Sequence, residues 1–179
     1  MSAFTYIASN NPLPEVKNPH YKTLSINEAL SMGIEVPDFL LDSGCDRDKP
    51  DVILWSDIEI KIDTETGTVD DGGFDDDFAI LKLSNTAEDV YTEKKYCAYL
   101  EWNLTRGRSQ KVIDYIREQL EYTDEIEIWR IWMGSGEKPL IKKRTVFIDA
   151  LTPNELMWLE EADILSEPPT QYCIIVKKL

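Results

Sequence analysis

Apolar and polar positions in the second half of the chain follow an order that reads strand, helix, strand, strand, helix, strand. The spacing predicts a strand over 96–103, a helix over 109–122, strands over 125–133 and 143–149, a short helix over 153–161 and a last strand over 172–177. This order is that of the ferredoxin-like split pattern, βαββαβ, and predicts one four-stranded antiparallel sheet with two helices. An architecture of this kind hosts many unrelated functions and names no activity by itself.

Finer patterning fills in this outline. In the first of these helices Val112, Ile113, Ile116 and Leu120 form an apolar stripe, with Lys111, Asp114, Arg117 and Glu121 on the wet side. The second helix is marked by Thr152 as N-cap, Pro153 at the first helical position and Glu155 as the acidic member of a capping box. Both faces of the expected sheet are apolar. One carries Tyr96, Ala98, Leu100, Trp102, Val146, Ile148, Ile174 and Val176; the other carries Cys97, Tyr99, Phe147, Cys173 and Ile175. Over 125–133 the alternation changes phase, with Ile126 and Ile128 on one side and Trp129, Ile131 and Met133 on the other, which implies a bulge or a strand buried twice. An isolated four-stranded domain needs one apolar face, so the second is expected to be covered by the front half or by a second copy of the chain.

The front half, residues 1–90, reads as an acidic mixed α/β region packed against 91–179, either as a second small domain or as part of one compact unit with it. Residues 4–9 suit a strand that ends at Asn10-Asn11-Pro12-Leu13-Pro14. Ser25 with Glu28 is a capping box, Ile26, Ala29, Leu30 and Met32 form the apolar side of a helix, and Gly33 ends it. Residues 51–62 alternate at Ile58, Ile60 and Ile62 as a half-buried strand, and 78–83 form another. The pattern does not settle the topology of 1–90.

Charge changes the picture more than overall composition does. The 179 residues carry a formal net charge of −15. Residues 1–90 hold 6 Lys+Arg against 19 Asp+Glu, whereas 91–179 hold 13 against 15. A field of that sign repels nucleic acid and anionic membrane surfaces and attracts a basic partner. The three cysteines, Cys45, Cys97 and Cys173, are far apart and odd in number, and the two within strands read as small core hydrophobes. With no basic-then-apolar leader and no apolar run of spanning length, a bacterial cytoplasm is the expected setting.

Two charged clusters are candidate sites. The first is the acidic stretch Asp70, Asp71, Asp75, Asp76 and Asp77, interrupted by Gly72 and Gly73, which is either a solvated hairpin tip or a surface that would meet a basic protein. Its spacing does not match a calcium loop, where position six is Gly and position twelve is Glu, and no metal is expected. The second is basic: Arg106, Arg108 and Lys111 at the start of the first helix, with Lys142, Lys143 and Arg144 near the hairpin of the middle strands. Topology would bring these to one end of the sheet, where a helix N-terminus and cations together could hold a phosphate or carboxylate ligand. The bland alternative is that these cations pair with acids of the front half. Tyr99, Trp129 and Phe147 form an aromatic set suited to a buried face or a dimer interface.

Catalytic motifs are absent from the sequence. His20 is the only histidine, so a multi-histidine site is excluded, and there is no nucleophile elbow, zinc-protease helix or dinucleotide fingerprint. The reading that follows is an acidic, non-enzymatic protein-binding module that needs no cofactor. Two others stand beside it: a protein or enzyme that takes a small anion at the basic end of the sheet, and a homo-oligomer built through the second sheet face.

Overall fold

Five of the seven residues of the strand Ala3–Ser9 (β1) are buried, and a strand buried on both faces belongs in the middle of a sheet. The computed structural model describes residues 3–42, 44–58, 61–62, 64, 69–70, 72–83, 91–132, 139–161 and 170–179. It places β1 inside a sheet whose other strands, Phe78–Lys82 apart, come from the second half.

The chain divides into two compact units, Met1–Lys17 with Phe74–Leu179, and Asn18–Gly73. In chain order the elements are β1, β2 (Tyr21–Leu24), α1 (Ile26–Ser31), α2 (Asp38–Asp42), β3 (Ile53–Ser56), β4 (Lys61–Ile62), β5 (Val69–Asp70), β6 (Phe78–Lys82), β7 (Tyr96–Trp102), α3 (Arg106–Gln119), β8 (Glu125–Trp132), β9 (Leu140–Phe147), α4 (Pro153–Met157) and β10 (Thr170–Lys177). The larger unit contains a six-stranded sheet in the order β6-β7-β1-β8-β10-β9. All neighbours pair antiparallel except β10 and β9, which run parallel.

The expected ferredoxin-like sheet of four strands is therefore not formed. In its place, β1 pairs with β7 on one side and β8 on the other, so the crossover β7-α3-β8 straddles a strand from the N-terminus. The second crossover, β9 through α4 to β10, joins adjacent parallel strands, where the ferredoxin-like pattern calls for purely antiparallel pairing. Element order was compatible with both topologies; what separates them is the pairing partner, which lies far away in sequence. Nor is the front region 1–90 a layer packed against 91–179, because it supplies β1 and β6 to the same sheet.

Each face of this sheet has its own core. On the helix side Ile7, Ile80, Leu100, Ile126, Ile128, Ile174 and Val176 meet Val112, Ile113, Ile116 and Leu120 at α3, and Leu156 and Leu159 at or just after α4. The opposite side gathers Tyr6, Ala8, Cys97, Trp129, Ile131 and Cys173, with Phe4, Leu83, Tyr99 and Ile175 packed around them. Strand β8 keeps an unbroken register with both β1 and β10, so its change of phase marks a strand buried twice and not a bulge. Trp129 is fully buried, with the Tyr91 ring 6.4 Å away and the Lys143 ammonium 4.7 Å from its ring centre.

The smaller unit is built on a local signal. Ser25 Oγ accepts from the Glu28 amide while Glu28 accepts from the Ser25 amide, and Gly33, at φ +72°, supplies the left-handed residue after the helix. Leu24, Ile26, Ala29 and Val36 form its core. Leu30 and Met32, expected on the buried side of α1, are instead exposed.

Candidate functional site

The basic cluster starts on helix α3. Helix α3 starts three residues earlier than the sequence pattern suggests, because Thr105 caps it and accepts from the Arg108 amide. That shift turns Arg108 inward. Its side chain is completely buried: Nε donates to the Phe74 carbonyl at 2.9 Å, Nη1 to the Asn103 carbonyl at 3.4 Å, and Nη2 sits 2.9 Å from Asp77 Oδ2. Beside this pair the Asp75 carboxylate lies so close to Gly107 that a Cβ there would overlap it. A carboxylate at a helix N-terminus is favoured by the exposed amides and the helix dipole.

The two clusters read from the sequence as separate sites are thus partly each other's partners. Asp77 pairs with Arg108, and Asp75 rests on the turn that Arg108 belongs to. Asp76 is exposed, Asp70 ends β5 in the smaller unit, and Asp71 lies outside the described residues. Arg106 and Lys111 are exposed on α3.

The other half of the expected anion site is elsewhere. Strands β7 and β9 are four strand spacings apart, about 19 Å across the sheet. On β9, Arg144 pairs with Glu155 at 2.8 Å and stacks 4.4 Å from the Trp158 ring, clamping α4 to the sheet. Lys142 lies 5.4 Å from the Tyr172 ring. Lys143 points to the opposite face, over Trp129. The structure does not bring Arg106, Arg108 and Lys111 together with Lys142, Lys143 and Arg144.

Two other places carry unspent chemistry. The first is the surface of Asn18–Gly73. This segment holds 4 Lys+Arg against 13 Asp+Glu, a net of −9, while the longer unit carries −6. Phe39 is 70% exposed and Leu54 67%, and Leu30 and Met32 are also exposed. On α2 the neighbours of Phe39, Leu40 and Leu41, turn into the core. Periodicity alone did not show which apolar side chains would face solvent.

The second is a cleft of about 380 Å³ on the second sheet face of the larger unit, lined by Asn10, Tyr91, Glu93, Lys94, Glu125, Glu127 and Lys143. Glu127 is buried, and its Oε2 accepts from the Trp129 indole at 2.7 Å and from the Thr92 hydroxyl at 2.6 Å. Glu125 is held by Lys94, and Lys177 lies 3.3 Å away. The hydrogen bond from Lys94 holds the Glu125 carboxyl below the ordinary value of 4.5. Burial first, and Glu127 after it, push the Cys173 thiol upward; burial also pushes Cys97 up to about 11. These thiols are inert core groups at neutral pH. In sequence, Glu127 was one of many acids and nothing local set it apart.

Comparison with known proteins finds no family model that matches the chain, and no curated protein or solved structure similar to it. Among the described residues no helix is long and apolar enough to cross a membrane.

Proposed function

We infer that the chain is a protein-binding module of a bacterial cytoplasm, one that receives a basic protein on the segment Asn18–Gly73 and performs no chemistry on it. A single observation carries this reading: the segment combines a net charge of −9 with solvent-exposed Phe39, Leu54, Leu30 and Met32. Negative charge steers a positive partner into encounter, and large apolar side chains supply the desolvated contacts that hold it. Either alone is ordinary on a protein surface. The small-anion reading has less support, because Arg108 and Arg144 are committed to Asp77 and Glu155.

The test is capture on the immobilised chain from a native bacterial lysate, at low and at high salt. Under this reading a basic protein is retained at low salt and released at high salt. Phe39→Ala and the triple change Asp38→Asn, Asp42→Asn, Asp57→Asn each reduce its capture. Retention of no basic protein, or of one indifferent to both variants, would contradict the reading.

A further inference from the structure

Glu127 is only 7% exposed, and its register neighbours on this face are Ala8 and Ile175. A carboxylate taken from water into such surroundings is destabilised unless it is paired. Here both hydrogen bonds to it come from neutral donors, the Trp129 indole and the Thr92 hydroxyl, and both go to Oε2. Among the described residues Oε1 accepts no hydrogen bond, and Glu127 has no ion-pair partner. A glutamine could accept both bonds through its amide oxygen, without the charge that strengthens them. What the carboxylate adds is a negative charge, aimed by two fixed donors and bordering an open cleft.

Lys143 provides the opposite charge in the same cleft. It comes from β9, the exposed edge of the sheet, and its ammonium lies 4.7 Å from the ring centre of Trp129, whose indole nitrogen holds Glu127. Among the described residues Lys143 has no carboxylate partner, whereas the neighbouring Lys94 is taken up by Glu125. The cleft thus presents the fixed Glu127 carboxylate and the Lys143 ammonium about Trp129, neither of them in an ion pair among the described residues, with the exposed Glu93 carboxylate also in its lining. Its volume of about 380 Å³ falls within the range of small-molecule sites.

We propose that this cleft binds a small zwitterion of the free amino-acid class, its ammonium on Glu127 Oε1 and its carboxylate on Lys143. The ligand would complete the ion pair that Glu127 lacks, without covalent change to either side. The site lies wholly within the larger unit and does not depend on the protein-binding reading.

The experiment is calorimetric titration and thermal unfolding of the full chain with each of the twenty protein amino acids, with n-propylamine and propionate as probes bearing one charge each. At least one amino acid is expected to bind and raise the melting temperature, with both single-charge probes binding more weakly. Glu127→Gln, which keeps both hydrogen bonds, is expected to weaken binding by about 10- to 100-fold, the loss of one charge-assisted hydrogen bond. Lys143→Met, at an exposed edge position, should weaken it similarly while leaving the circular dichroism unchanged, so the result does not rest on the behaviour of the buried variant. Absence of binding by all twenty would overturn the proposal, as would full retention of binding in either variant or equal binding of propylamine and the amino acids.

Discussion

Arg108 and Gly107 show how much turns on single residues. Removing the Arg108 guanidinium leaves Asp77 buried without its cation, a loss of about 3–5 kcal/mol for a broken buried pair. Arg108→Met should show this in chemical denaturation, and adding Asp77→Asn should cost less than the sum of the two single changes. Gly107 is a different case. Alanine in a helix ordinarily gains about 1 kcal/mol over glycine, but here a Cβ displaces the Asp75 carboxylate from the helix N-terminus, an interaction of about 0.3–1 kcal/mol. Gly107→Ala should therefore be close to neutral in the native background, and stabilising by about 1 kcal/mol once Asp75 is also alanine. Reactivity offers a further check: alkylation at pH 8 followed by mass measurement should label Cys45 quickly and leave Cys97 and Cys173 protected.

At the scale of elements, the sequence was most legible where signals are local. The capping contacts of Ser25 and Thr152 lie within a few residues, the α3 stripe is legible from local periodicity, and both appear in the structure; over β8 the pattern left a bulge or double burial open, and the structure shows double burial. The start of α3 was hidden because Arg106-Gly107-Arg108 reads as a poor helix opening, unfavourable to the dipole and to propensity. Its compensation, the turn at Phe74–Asp77, lies some thirty residues away. Electrostatics at the start of β8 gives a prediction with a definite sign. The Glu125 carboxyl is held below its ordinary 4.5 by Lys94, so the pair contributes stability above that value and loses it as pH falls through the depressed folded one. Lys94→Met should accordingly cost up to about 1 kcal/mol at pH 7, and the difference from the native chain should close on acidification below 4.5.

For the whole molecule, the decisive fact is that the N-terminal strand occupies the middle of the sheet. Residues 4–9 looked like any short strand, and nothing in their pattern names β7 and β8 as partners; only the burial of both faces, Ile7 on one and Tyr6 and Ala8 on the other, explains the position. A fragment of residues 91–179 therefore lacks the strand that joins its first crossover, and should be unfolded by circular dichroism and amide exchange. A cooperatively folded fragment would restore the four-stranded alternative. Charge is likewise a property of the whole chain. Its concentration in Asn18–Gly73 was visible in the uneven count of acids, whereas the exposure of Phe39 and Leu54 and the internal pairing of Asp77 needed the fold. Under the proposed function this segment steers a basic protein into contact. The most direct measurement is the association rate of the captured protein across a salt series. The rate should fall by about 10-fold or more between low and physiological ionic strength, with dissociation little changed. An association rate indifferent to salt would contradict the proposed function.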